Sequence, residues 1–489
     1  DAAKPPAGEA AAIEAAGDAS PVGRAAQASA RERDWPRVVL VNPPRYGGIP
    51  VVRLYRSEYL YVQGNHVPAM DLGYFAAAAR GRAHVFMIDA NGDGSSNAEV
   101  ARRLEELRPD VVVVKGVLNI LEHDLAAARE HKRAHPHVRI VLSCRGCMGA
   151  EPRVFEEFPD LDAIARGEID AFARDIAARP DLAGIRGLAR PDAPASEVRV
   201  VEDLDEVPMP DLEVMPRIWH TGFNIRYYGV ESGYFLTSSR GCPYGCTFCM
   251  VGGIEGRPFR YRRRDPANVV EEVRILRERL GVRDFYVFDE IFTMPGHGER
   301  VCEALLSAGE KPGFVCEGKP DLVNAEMLAL MKRAGCRAIY YGVESGDDAL
   351  LSEVDKGHTD SDARRAVALT REAGILAGAY VILGLPGESV RSFLKTASFL
   401  FEARPELVRY DFLLPYPTTI LHSQMKQEGL LDFAERDLDR RISPYHDAAI
   451  RIRSRHLSQA PLRWMDGLLK LGFADELARS PLGARAQVR

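Results

Sequence analysis

Cysteine is scarce, with eight in 489 residues. That is too sparse for a disulfide scaffold and, without a secretory pattern near the start, predicts reduced, metal-binding or buried thiols in a cytoplasmic protein. Long apolar runs are also missing: none approaches the roughly 20 residues that span a bilayer, so a membrane is not an expected partner. An excess of positive charge is lacking too. The formal net charge is -6, and such a field repels nucleic acid rather than gathering it. What is present is ordinary globular composition, 46% hydrophobic and 27% charged. At roughly 150 residues per domain, the length predicts two or three domains.

Residues 1–34, rich in Ala, Gly and Pro, read as a disordered leader. From Arg37 onward, apolar runs alternate with helical patterns: RVVLVN (37–42), HVFMID (84–89), DVVVVKG (110–116), VRIVLS (138–143) and LDAIA (161–165). Continuous Val/Ile runs separated by amphipathic segments predict a buried parallel sheet, here a doubly wound, Rossmann-like α/β domain over 35–180 with its ligand at the strand carboxyl ends. Residues 181–232 lose this rhythm and read as a linker, in which WHTGFNIRYYGV (219–230) would wall a pocket. A second series follows over 233–429: GYFLTSS, DFYVF, GFVCEG, RAIYYGV, LAGAYVIL and VRYDFLL. Six strand-helix units are too few for the usual eight-stranded barrel and predict a partial (β/α)6 barrel, open on one side. Its best-marked helix has Asp265 as N-cap, Pro266 in the first turn, Val269, Val273, Leu276 and Leu280 on one face, and Gly281 as terminator. Residues 430–489 read as a helical extension.

The first strand of that series runs into SSRGCPYGCTFCM, which spaces Cys242, Cys246 and Cys249 as C-x3-C-x2-C. Three neighbouring thiols cannot all pair with one another, and Gly241 and Gly245 let the backbone wrap closely around a bound object. Three ligands on a four-iron cluster leave one iron open. The alternatives are incidental cysteines, or a zinc site with a remote fourth ligand, although zinc sites favour a second C-x2-C pair that is absent here.

At these residues the sequence resembles the radical S-adenosylmethionine (SAM) superfamily. The resemblance implies a 4Fe-4S cluster on the three cysteines, with SAM chelating the open iron and a flavodoxin or ferredoxin as electron donor. It also implies SAM contacts along the strand ends. Phe248 would lie near the adenine. Asp289 and Glu290, standing where the family has a Gly-Gly-Glu-type element, would accept from the methionine ammonium. Glu344 and Ser345 would reach the ribose or amino-acid part, and Lys319 and Gly384 would line the adenosyl pocket. The arginine run RPFRYRRR (257–264) reads as a solvated basic face, or else as Arg262 or Arg264 gripping a carboxylate or phosphate.

VNPPRYGG (41–48), PAMDLGYFAA (68–77), ARGEID (165–170) and DLDEVPMPD (203–211) extend the resemblance to the cobalamin-binding, methyltransferase-like branch of that superfamily. Pro43, Pro44, Asn119, Ser143, Cys144, Gly167 and Glu168 would then face the corrin. No histidine has Asp two before and Gly three after, so the D-x-H-x-x-G ligand of free cobalamin modules is missing, as is usual in this branch. Cys144 and Cys147 form a C-x2-C that reads as small residues beneath the corrin, a redox pair or an auxiliary metal site.

The activity this implies is C- or P-methylation of a small molecule, with one SAM methylating cob(I)alamin and a second yielding the 5'-deoxyadenosyl radical. Two other enzyme readings are cyclisation or rearrangement without methyl transfer, and tRNA methylthiolation, which normally needs three further cysteines in the first domain. A corrinoid-binding sensor or carrier would tolerate loss of a loop cysteine, yet all three are present.

Overall fold

A computed structural model describes residues 34–54, 57–60, 69–194, 197–215, 234–431 and 453–472. The aromatic segment 219–230, nearly all of the leader and most of the C-terminal extension lie outside the described residues.

The first sheet contains β1 (Arg37–Asn42), β4 (His84–Asp89), β5 (Val111–Lys115), β6 (Arg139–Ser143), β7 (Ala163–Ala165) and β8 (Leu188–Ala189). Their spatial order is β4-β1-β5-β6-β7-β8, parallel except for β8, which runs antiparallel to β7. The run RVVLVN is apolar throughout because both faces are covered. Val38 and Leu40 enter one core and Val39 and Val41 another, all buried. A side-chain period of two makes that division automatic. Strand order reverses at β1, so the crevice between the carboxyl ends of β1 and β5 is where an open sheet of this kind takes a ligand. Two features lie beyond the sequence reading: β8, past the expected boundary at 180, and an antiparallel hairpin of β2 (Val51–Leu54) and β3 (Ser57–Leu60).

The second sheet runs β9 (Tyr234–Leu236), β12 (Asp284–Val287), β13 (Gly313–Gly318), β14 (Cys336–Glu344), β15 (Leu376–Leu383) and β16 (Leu407–Phe412), all parallel and each beside its predecessor. β9 and β16 are edges, so the barrel is partial, as six units require. The helix Pro266–Leu280 starts on the Asp265 cap, buries Val269, Val273 and Leu276, and ends at Gly281 with φ +68°.

A helix of the first half contributes to the junction between the two. The helix Met70–Ala79 buries nearly every side chain, and its Leu72, Tyr74 and Phe75 share a core with β9 and with Val269 and Val273 of the second domain. Gly73 lets the linker seat against this helix: a Cβ there would stand 3.2 Å from Met215 Sδ and Pro210 Cβ, and Asp211 N donates to its carbonyl at 3.2 Å. In the C-terminal region, the helix Gln459–Gly472 packs Leu462, Met465 and Leu469 inward.

Candidate active site at the cysteine loop

The cysteine loop leaves and re-enters the barrel as a hairpin, because β10 (Ser239–Arg240) pairs with β11 (Arg262–Arg263). Gly241, at φ +84°, is required at its base: a Cβ there would lie 2.0 Å from Arg260 O. Backbone bonds then fix the loop to distant elements. Thr247 N donates to Val354 O at 3.0 Å, Leu421 N to Thr247 O at 3.0 Å and Ile420 N to Gly253 O at 2.8 Å.

The three cysteines suit a cluster better than a single ion. Among the described residues, the three sulfurs are not a group whose ligand atoms all lie within 4.8 Å of one another, so they are spread too widely for one zinc coordination sphere. Burial pushes the Cys242 thiol up to about 12 and the Cys246 thiol in the same direction. Thiolates in such a place need a strong cation beside them.

The strand ends around this loop carry paired charges. Glu344 ends β14 at φ +62°, a left-handed conformation for a non-glycine residue, where the register with β15 shifts. Such strain costs on the order of 1–3 kcal/mol and concentrates at functional sites. Its carboxylate accepts from Lys356 Nζ at 2.7 Å, and that ammonium stands 5.8 Å from the centre of the Phe248 ring. Lys319 Nζ lies 4.7 Å from the Tyr244 ring centre and donates to Gly357 O at 3.0 Å. Ser345 is buried, its hydroxyl 3.2 Å from Thr396 Oγ1. Phe248, Lys319 and Glu344 therefore converge on the loop. Lys356 and Tyr244 complete the group, and sequence reasoning missed both. Their only signal was membership in the same loops, DKGH (355–358) and CPYGC (242–246).

Asp289 and Glu290 fasten the loop from below. Asp289 is fully buried: its Oδ1 accepts from Ser238 N at 2.7 Å and its Oδ2 from the hydroxyls of Ser238 at 2.5 Å and Ser239 at 2.8 Å, with His297 Nε2 at 3.6 Å. Burial acts to raise its pKa, but His297 and the Ser238 hydroxyl outweigh it and hold the carboxyl below its ordinary range. Glu290 accepts from Gly241 N at 2.9 Å, at the start of the cysteine loop.

Gly384, with φ +84°, is held from behind: its N–H donates to Glu388 Oε2 at 2.8 Å, and Ser392 Oγ donates to Glu388 Oε1 at 3.3 Å. Burial raises the Glu388 carboxyl from 4.5 to about 7. A carboxyl raised in this way costs nothing below its unfolded value and subtracts stability as pH rises toward its folded one. Between pH 5 and 8 the loss is about 2–3 kcal/mol. Glu388→Gln keeps an acceptor for Gly384 N, so over this interval its urea midpoint should gain on the native one by the amount the native carboxyl loses. Parallel midpoints would rule out this role.

The arginine run divides: Arg257, Arg260 and Arg263 are exposed, as a solvated face requires, while Arg262 and Arg264 are held by carboxylates of the chain itself. Arg262 neither faces solvent nor is free for an anionic ligand: its two terminal nitrogens donate to Glu168 at 2.7 and 3.1 Å. Arg264 pairs with Glu272 and donates to Thr237 O at 3.0 Å.

On the first-domain side, Pro43 and Pro44 follow β1, and their carbonyls accept from Arg53 at 2.9 and 3.1 Å. Arg53 is itself buried against Asp124 at 2.6 Å. Ser143 ends β6, where its hydroxyl accepts from Lys115 Nζ at 3.2 Å while that ammonium pairs with Asp71 at 2.6 Å. Asn119 is half-buried in the turn after β5, and Cys144 and Cys147 are buried. A Cβ on Gly167 would lie 1.8 Å from Arg199 O, so that glycine admits a neighbouring backbone. Glu168 is buried, and its oxygens are engaged by Arg262 and by Arg240 at 3.3 Å. The turn after β6 meets the cysteine loop directly: Met148 packs with Val251, Ile254 and Phe259, and the Arg145 guanidinium lies 3.7 Å from the Phe259 ring centre.

Comparison with known proteins agrees with this geometry. The Radical SAM superfamily model matches residues 236–400, from the end of β9 to the helix Val390–Ala403. Residues 236–400 thus form a radical SAM domain, with the cysteine loop at its first strand end. Its two-domain architecture is, further, the fold of the cobalamin-dependent radical SAM enzyme OxsB, solved with aqua-cobalamin and S-adenosylmethionine bound. The TM-score is 0.67 at 17% identity, over 89% of this chain and 66% of that one. An uncharacterized methyltransferase of Pyrococcus horikoshii is 24% identical over 412 residues, 81% of this chain and 84% of the relative. The anaerobic magnesium-protoporphyrin IX monomethyl ester cyclase of Rubrivivax gelatinosus is 25% identical over 389 residues, 76% of this chain and 68% of the relative.

Proposed function

We propose that this protein is a cobalamin-dependent radical SAM methyltransferase that methylates carbon or phosphorus in a small molecule, consuming one SAM as methyl source and a second as radical source. The observation that carries the reading is the contact between the turn after β6 and the cysteine loop, through Met148 and through Arg145 over Phe259. It sets the carboxyl ends of the first sheet beside the only C-x3-C-x2-C loop of the chain. When bound, a 4Fe-4S cluster supplies the electron for SAM cleavage and cobalamin carries the methyl group.

The chain's own contribution is to bind, orient and enclose. Cys242, Cys246 and Cys249 would hold the cluster. Phe248, Lys319, Glu344, Ser345 and Gly384 would hold SAM, with Asp289 and Glu290 fixing the loop that presents it. Pro43, Pro44, Asn119, Ser143 and Cys144 would form the floor for cobalamin, with Gly167 and Glu168 behind it. Holding reactants together in a closed site is the largest effect such a scaffold can exert.

The test is the product balance of the anaerobically reconstituted enzyme with a turned-over substrate. Methylation predicts one S-adenosylhomocysteine and one 5'-deoxyadenosine per product and a mass gain of one methylene. The similarity to the cyclase supports a second reading, ring formation without methyl transfer. Deoxyadenosine without S-adenosylhomocysteine would select that reading and reject ours.

A further inference from the structure

We propose that Glu105, His131 and His135 form a binding site for a divalent transition metal ion, zinc by its ligand chemistry, at the end of the first domain remote from the cysteine loop. Glu105 lies in the last turn of the helix Asn97–Leu107, His131 in the last turn of the helix Leu121–Ala134, and His135 is the C-cap of the latter. These helices end just before β5 and β6 begin. The trio therefore sits at the amino ends of the strands, whereas Ser143 and Cys144 mark the carboxyl ends.

Among the described residues, this is the one group of at least three His, Cys, Asp or Glu side chains whose ligand atoms all lie within 4.8 Å of one another. Glu105 Oε2 stands 3.5 Å from His131 Nδ1 and 2.6 Å from His135 Nε2, and the two imidazole rings are 4.6 Å apart. A tetrahedral ion with bonds of about 2.0–2.1 Å places its ligands about 3.3 Å apart. The first distance already fits. The second is a carboxylate-imidazole hydrogen bond, and it opens by less than about 1 Å when a metal replaces the shared proton. The Glu105 side chain is 60% exposed and free to make that movement. Two imidazoles and a carboxylate suit zinc and its neighbours rather than magnesium or calcium, which prefer all-oxygen sets.

The electrostatics point the same way. All three groups lie at helix carboxyl ends, where the macrodipole favours a cation. Of the neighbouring cations, Lys132 is compensated by Asp162 and Arg102 by Glu106, while Arg108 also acts on Glu105.

The experiment uses the full chain without an affinity tag, anaerobically loaded with its cluster so that the loop thiols are occupied. Zinc is titrated against a chromophoric chelator, and the zinc K-edge is measured on the loaded protein. One zinc per chain is expected, with nitrogen and oxygen ligands at about 2.0–2.1 Å and no sulfur. His135→Ala and Glu105→Gln should each weaken binding at least tenfold, on the order of what even outer-shell partners contribute. SAM cleavage should be unchanged in both variants, so the result stands apart from the methyltransferase reading. Zinc held through sulfur, zinc held equally by His135→Ala, or no saturable binding would each overturn the proposal.

Discussion

Replacing Cys242, Cys246 and Cys249 together by Ala should yield a folded chain that holds no iron and cleaves no SAM. The fold survives because the loop is fixed by its backbone, through Thr247 to Val354 and Leu421 and through Gly253 to Ile420. Cys242 and Cys249 are only partly buried, so little packing is lost with their sulfurs. The unmetallated thiols also contribute little as anions, since burial drives Cys242 to about 12. All of the expected loss is therefore in ligation. The measurement is iron per chain together with 5'-deoxyadenosine formed under reducing conditions. Activity should fall to the detection limit while the unfolding free energy differs from that of the cluster-free native chain by no more than about 1 kcal/mol, the usual size for a substitution outside a large core. Cleavage retained by the triple variant would refute the assignment of these cysteines.

What the sequence disclosed about this site follows from the range of the interactions involved. β1, β5 and β6 were legible because strands covered on both faces must be apolar throughout, and the cysteines because a cluster fixes their spacing locally. Within the arginine run, Arg262 was illegible for the opposite reason. Arg257, Arg260 and Arg263 do form the solvated face that RPFRYRRR suggests, but Arg262 reads as part of it until a carboxylate 94 residues earlier, Glu168, is found against it. Lys356 belongs to the site only because it reaches back to Glu344, 12 residues earlier and on the other side of the helix Asp348–Glu353. Gly167 has a similar lesson. A glycine expected beneath a flat ligand is explained by a backbone bridge to Arg199, a partner that no local pattern announces.

Arg240→Met should produce the largest loss of stability of any single change considered, about 3–5 kcal/mol, the range found when one member of a buried ion pair is removed. Arg240 is buried between the two domains: its Nη1 lies 2.8 Å from Asp170 and 3.3 Å from Glu168, and its guanidinium 5.1 Å from the Tyr74 ring centre. Met retains most of the packing, so the effect reports lost charge. Glu168 keeps Arg262, leaving Asp170 as the stranded group. Burial already raises the Asp170 carboxyl, with Arg240 opposing that rise and Glu168 adding to it. Removing Arg240 takes away the opposition and pushes Asp170 higher still. A carboxyl raised in the folded state subtracts stability as pH increases, so the deficit of Arg240→Met should widen from pH 5 to pH 8. Adding Asp170→Asn removes the stranded charge and should restore much of the loss at pH 8 and little at pH 5. Urea unfolding of both variants at the two pH values decides the point. A deficit independent of pH, or unrelieved by Asp170→Asn, would mean that Arg240 acts through packing on Tyr74. The cluster loop begins two residues after Arg240, at Cys242, and the ARGEID segment of the first domain supplies its acidic partners. The same salt bridge therefore sets the position of the cysteine loop relative to the first sheet.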